Sequence, residues 1–145
     1  MGNRKQIEST VDDVRLLNFN VNNSTMGSLI AIEQSNNIPF DLKRVFFVYG
    51  VPAGITRGNH AHIEQSQVLV SLNGECKVSV KDGNLERKFV LDGPSSGLFI
   101  PPGIWDEVTY CDNSILLVLA DDCYNPDDYI DNWDNFLRFK RENNI

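Results

Sequence analysis

The chain has two histidines, His60 and His62, separated by a single residue. On a β-strand, residues i and i+2 point the same way, so this spacing predicts two imidazoles on one face. An imidazole titrates near neutral pH and can take a proton from carbon and return it, so such a pair predicts acid–base chemistry. Arg57 and Gln67 flank the pair in sequence and would set a cation and an amide beside it. A metal site is a second reading, because His60, His62 and Asp106 form a two-histidine, one-carboxylate set. Gln67 is a neutral amide and a poor ligand, and no third imidazole exists, so free histidines without metal or cofactor are preferred. A third reading makes both histidines satisfied structural residues of a sheet.

Short strands must position these residues. VRLLNF and SLIAIE have strand-like content and are separated by the turn at Asn20–Ser24; a break follows at Asn36–Phe40. In KRVFFVYG, Val45, Phe47 and Tyr49 share one face and Phe46 and Val48 the other. Both faces are apolar, which predicts a central strand covered on either side. The His-x-His strand comes next, then QVLVSL, the hairpin turn Asn73-Gly74, and ECKVSVK with Cys76, Val78 and Val80 facing one way. Asp82-Gly83 turns the chain into NLERKFVL, and Leu98–Ile100 and SILLVLA supply the last strands. Strands this short, joined by tight turns, predict an all-β antiparallel jelly-roll barrel or sandwich. At the end, Asn125 as cap, Pro126 at the first position and Asp127 and Asp128 in the first turn predict a helix over 125–141. Tyr129, Trp133, Phe136 and Leu137 would be its docking face.

Bulk properties bound the function. A length of 145 residues with 41% hydrophobic content predicts one domain spanning 1–145, with residues 1–9 loosely held. A net charge of −7 argues against nucleic acid or anionic membrane as partner. No apolar run approaches a membrane span, MGNRKQIEST lacks a secretory core, and Gln6 stands where myristoylation would want Ser or Thr. The scattered Cys76, Cys111 and Cys123 read as reduced thiols, which predicts a cytoplasmic protein.

Gly54, His60, His62 and Gly74 fall in register with the first motif of the cupin β-barrels. Gln67 stands where a metal-binding cupin has Glu, and Asp106, after the Pro101-Pro102-Gly103 turn, where it has His. RGNHAH, QSQVLVSLNG, PPGIW and DYIDNWDNF together resemble the cupin sugar 3,4-ketoisomerases, the WxcM-like group, from about Leu29 to Phe139. Members of that group convert dTDP-4-keto-6-deoxyglucose to a 3-keto sugar without metal, on the way to 3-amino sugars of bacterial surface polysaccharide. They are homodimers that exchange N-terminal strands.

The resemblance therefore implies a dTDP-sugar isomerase and a homodimer. It gives His62 the role of base at carbon and His60 that of its partner in proton handling. Arg57 would polarise the ketone or bind the diphosphate, Gln67 and Asp106 would hydrogen-bond the sugar or orient the imidazoles, and Trp105 would stack on base or sugar or form an apolar wall. The group carries a tyrosine on the strand before His-x-His; Phe47 matches that position, with Tyr49 the candidate to replace it. Met26 and Asp131 stand where the group tends to have arginines. A keto-sugar epimerase acting at C-3 or C-5 and a non-catalytic sugar-nucleotide-binding cupin are the alternatives.

Overall fold

The computed structural model describes residues 8–142. Two five-stranded antiparallel sheets face each other, as the turn spacing predicts. From edge to edge one sheet comprises β1 (Arg15–Asn18), β9 (Ser96–Ile100), β6 (Gln67–Asn73), β11 (Ile115–Ala120) and β4 (Arg44–Tyr49). The other comprises β12 (Tyr129–Ile130), β5 (Thr56–His62), β10 (Trp105–Tyr110), β7 (Cys76–Lys81) and β8 (Glu86–Leu91). A separate hairpin joins β2 (Asn22–Ser24) to β3 (Gly27–Leu29), and one α-helix, α1 (Trp133–Glu142), follows the sheets. No helix is long and apolar enough to cross a membrane among the described residues.

Strand alternation builds the core. Val78 and Val80 of β7, Leu69 of β6, Val108 of β10 and Val118 of β11 meet between the sheets. Each is worth about 1.5–3 kcal/mol on full burial. The β7–β8 turn is closed by the buried Asp82 carboxylate, which accepts the N–H groups of Asn84 and Leu85 at 2.8 Å each and that of Val11 at 2.9 Å. The outer face of the first sheet is covered by the chain between β3 and β4, where Ile38, Phe40 and Leu42 pack near Val68, Val70 and Leu119. SLIAIE is thus strand only to Leu29 and then becomes a packed crossing.

Four expectations change. Asn73-Gly74 closes no hairpin: β6 and β7 lie in different sheets, and the turn carries the chain from one sheet to the other. Strand β4 is an edge strand rather than a central one, with Val45, Phe47 and Tyr49 exposed to 52%, 61% and 69%. Its apolar outer face has no cover within the described chain. The C-terminal helix starts at Trp133 and not at Asn125. Asn125 caps a single 3-10 turn, Pro126–Asp128, after which Tyr129 and Ile130 pair with His62 and Ala61 as β12. Sheet pairing overrides the helical pattern there, and Asn132, whose Oδ1 accepts the Asn135 N–H at 3.0 Å, caps the true helix. Residues 1–7 lie outside the described residues, but Ser9 is buried, its hydroxyl donating to the Pro102 carbonyl.

The helix is fastened to the site strand through Lys140. Its buried Nζ donates to the carbonyls of Ser9 at 2.7 Å and Gly103 at 2.9 Å, and the Gly103 N–H donates to the His62 carbonyl at 2.7 Å. Burial lowers the Lys140 pKa, against the opposing pull of Asp82 and Asp13. All three cysteines are free thiols, with the Cys76 pKa raised mainly by burial.

Candidate active site

The site is created by a fault in β5. Strict alternation would turn Arg57 and His60 to opposite faces, because they are three residues apart. Gly58 and Asn59 take φ values of +93° and +58°, and the register with β10 shifts between Asp106 and Glu107. The inserted residue is a β-bulge, and it brings Arg57, opposite Val108, and His60, opposite Asp106, to the inner face together. Gly58 is required by space as well as by φ: a Cβ there would stand 3.0 Å from Asp106 Oδ1 and 3.1 Å from its carbonyl oxygen.

The bulge faces a cavity of about 160 Å³ between the facing edges of the two sheets. Arg44, Phe46 and Val48 of β4 form one wall, and Arg57, Gly58 and His60 of β5 the other. Gln67, Asp106, Tyr110 and Tyr129 complete the polar lining. The volume is comparable to that of one pyranose ring, and the cavity opens to solvent beside Arg57. Arg57 is exposed at the opening, whereas Asp106 and Tyr110 are buried at 5% and 3%. Burial, more than any neighbouring charge, raises Asp106, while the histidines pull the other way. Tyr110 is pushed up to about 12, again chiefly by burial, and stays a neutral phenol across the working range.

The two imidazoles are held differently. His62 is buried, its Nδ1 lies 3.0 Å from Asp128 Oδ2, and its Nε2 lies 3.2 Å from the Gln67 amide nitrogen. That amide also donates to Gln65 Oε1 at 2.7 Å, so its nitrogen is the donor and His62 Nε2 the acceptor. His62 therefore carries its proton on Nδ1, facing the carboxylate. Asp128 also accepts the Glu64 N–H at 2.7 Å and the Gln65 N–H at 3.3 Å. Burial alone would raise the Asp128 pKa, but these hydrogen bonds together outweigh it and hold it below the usual carboxylate range. His60 lines the cavity and its ring makes no hydrogen bond to the described residues. It touches His62 at 5.1 Å and Tyr129 at 5.1 Å between ring centroids, and Tyr129 in turn lies 4.4 Å from His62. With both His62 nitrogens engaged, the pair leaves one imidazole open for chemistry.

Among the residues expected from sequence, His60, His62, Arg57, Gln67 and Asp106 come together here. Three do not. Phe47 and Tyr49 point out of the sandwich, 5.9 Å apart on the exposed face, because the inner positions of β4 are Arg44, Phe46 and Val48. The β4 aromatic that lines the cavity is Phe46, so Tyr49 offers the cavity no hydroxyl. Trp105 alternates outward from Asp106, donates its indole N–H to Glu107 Oε1 at 3.1 Å, and packs on Trp133 and Phe136 of α1 at 5.2 and 5.6 Å. It docks the helix and does not line the cavity. Five polar or aromatic contributors escape the sequence reading: Asp128 and Tyr129, within the expected helix, Arg44 and Phe46, on the inner face of β4, and Tyr110 of β10.

Replacing Asp106 by asparagine is expected to stabilise the fold. A carboxyl whose folded pKa is raised gives most stability below its unfolded value and loses it as the pH climbs towards the folded one. Asp106→Asn should raise the neutral-pH melting temperature by about 3 °C per kcal/mol of burial cost removed, and flatten its decline between acid and neutral pH. A melting temperature that falls would show the carboxylate to be favourably engaged.

Comparison with known proteins places the chain. The family model described as FdtA, WxcM-like, C-terminal, matches residues 12–141. A TDP-4-oxo-6-deoxy-alpha-D-glucose-3,4-oxoisomerase of Aneurinibacillus thermoaerophilus is 39% identical over 132 residues, covering 90% of this chain and 95% of the relative. A 3,4-ketoisomerase crystal structure from Helicobacter canadensis superposes with a TM-score of 0.87 at 40% identity, covering 89% and 98% of the two chains. A histidine-to-asparagine mutant of a Thermoanaerobacterium thermosaccharolyticum 3,4-ketoisomerase, solved with TDP-4-keto-6-deoxyglucose, gives 0.87 at 37% identity, covering 90% and 95%. The matched residues span the bulge, both histidines, Asp128 and Tyr129, and the chain belongs to the FdtA family of WxcM-like C-terminal domains.

Proposed function

We propose that this protein is a 3,4-ketoisomerase that converts a dTDP-linked 4-keto-6-deoxyglucose to its 3-keto isomer, supplying a sugar that amination at C-3 would consume in making surface polysaccharide. The observation that carries the reading is His60: an imidazole open to a sugar-sized cavity, backed by a histidine whose tautomer Asp128 fixes. The Aneurinibacillus relative is named for this reaction, and the Helicobacter relative is named a 3,4-ketoisomerase.

His60 takes the proton from C-3, the electrons of that C–H bond form the C-3–C-4 double bond, and the C-4 carbonyl pair moves onto oxygen. Transfer of the hydroxyl proton from the C-3 oxygen and delivery of a proton to C-4 complete the isomerisation. This gives His60 the role at carbon that the resemblance had assigned to His62, because His62 has no ring nitrogen left to reach substrate. His62 steadies His60 from behind. Arg57 at the opening suits the diphosphate, since a guanidinium presents paired donors to phosphate oxygens. Incubation with TDP-4-keto-6-deoxyglucose, followed by proton NMR, is expected to give the 3-keto sugar; an unchanged spectrum would refute the assignment.

The homodimer belongs to this reading. Every residue of the β2–β3 hairpin is exposed, Met26 at its tip to 96%, and the outer face of edge strand β4 is bare and apolar. A partner's hairpin laid on Val45, Phe47 and Tyr49 would cover both. Sedimentation is expected to give twice the chain mass, and a monomer at micromolar concentration would contradict the exchange. The free cysteines and the nucleotide-sugar substrate fit a cytoplasmic location.

A further inference from the structure

Arg44 is the one described residue with a buried side-chain polar atom left without a hydrogen bond: its Nη1 is shielded from solvent and has no partner among the described residues. Position explains where that donor points. Arg44 and Gln67 both pair with Ala120 of β11, so the guanidinium stands on the rung of the amide that contacts His62, and the small buried Ala120 leaves the space between them open. It therefore projects into the cavity from the wall opposite His60. The group is also fixed in place, its Cζ lying 4.4 Å above the Phe46 ring and 5.2 Å from that of Tyr124. Arg44 forms no ion pair among the described residues. Arg44 as a whole is half-buried, but a shielded donor of a charged group left without a partner is costly in a folded chain unless a ligand completes it.

We propose that Arg44 is a catalytic residue that binds the sugar oxygen on which negative charge develops during enolisation. The inference rests on the ketoisomerase reading above. When His60 removes the C-3 proton, the C-4 carbonyl π pair becomes an oxyanion, and Nη1 donates to that oxygen; the C-3 hydroxyl proton then passes to the C-4 oxygen, the C-3 oxygen takes up the charge, and formation of the C-3 carbonyl with protonation of C-4 discharges it. A fixed donor in a water-poor cavity favours the charged state more than the ground state. The two cations divide by depth: exposed Arg57 meets the diphosphate outside, and Arg44 meets the sugar within.

The test compares wild-type protein, Arg44→Met and Arg44→Lys for turnover of TDP-4-keto-6-deoxyglucose, for TDP affinity and for melting temperature. Both variants are expected to lose about 100-fold or more in kcat, with TDP affinity within about twofold of wild type. Arg44→Lys keeps the charge and most of the stem, so it separates loss of the planar donor from loss of fold. In a third variant, Arg44→Ala, guanidinium ion at millimolar concentration is expected to restore part of kcat, and no restoration would count against a guanidinium acting at this position. Retained kcat in a folded variant, or weakened TDP binding with kcat intact, would overturn the assignment while leaving the isomerase reading standing. Wild-type protein without turnover would remove both.

Discussion

His60→Asn is expected to lower turnover by about 10³-fold or more, the range for removing a general base, and to leave the melting temperature within about 2 °C of wild type. The asymmetry follows from the hydrogen bonds. The His60 ring makes none to the described residues, so its loss leaves no buried partner unsatisfied, whereas the His62 ring engages both Asp128 and Gln67 in a buried setting. His62→Asn should therefore cost stability as well as activity, because it strands part of an acceptor and a donor network in the interior. Steady-state kinetics and thermal melts on the two variants check the contrast. A His60→Asn protein with near-normal kcat would return the base role to His62.

Asp128→Ala is expected to be the most damaging single change to the site. It deletes a carboxylate that accepts from the His62 imidazole and from the backbone of Glu64 and Gln65, at a cost of about 3 kcal/mol and about 10 °C in melting temperature. Asp128→Asn keeps the shape but replaces the anion with an amide that can present a donor to Nδ1, so the His62 tautomer is no longer enforced, and we expect a kcat loss of about 10²-fold. The pH dependence carries the same signature. The folded pKa of Asp128 is held down, so its stabilisation is complete above the unfolded carboxyl value, about 4, and is lost as the pH falls through the folded one. Asp128→Asn should remove that share of the acid destabilisation. Equal acid sensitivity in variant and wild type would contradict the dyad.

The His-x-His pair was legible because a period of two leaves no choice of face. Arg57 is different: at three residues from His60 it reaches the same cavity only through the Gly58-Asn59 bulge, a dipeptide whose positive φ values are suggestive in sequence but have no unique placement. Strand β4 shows where periodicity fails. Phe46 and Val48 are as apolar as Val45, Phe47 and Tyr49, so alternation defined two faces without saying which one turned inward. The expectation of cover on both faces therefore fails, and the residues named from the resemblance, Phe47 and Tyr49, lie on the outer face while Arg44 lies on the inner one. Near the C-terminus, Asn125 and Pro126 are true capping residues, but of one 3-10 turn. Only the pairing of Tyr129 and Ile130 with His62 and Ala61 reveals that the chain stays in the sheet long enough to deliver Asp128 and Tyr129 to the histidines. The hairpin turn at Gly83 follows from local chemistry, as does the antiparallel architecture; the equally strong turn signal at Asn73-Gly74 instead carries the chain from β6 in one sheet to β7 in the other, a difference that turn residues alone do not encode.

The most direct test of the account is to incubate wild-type and His60→Asn protein with TDP-4-keto-6-deoxyglucose in deuterium oxide and follow the sugar by NMR. Wild type should form a 3-keto product carrying deuterium at C-4, the mark of an enediol protonated on the second carbon, and His60→Asn should show neither product nor exchange. Deuterium confined to C-5, or exchange undiminished in His60→Asn, would contradict the isomerase mechanism drawn from this cavity.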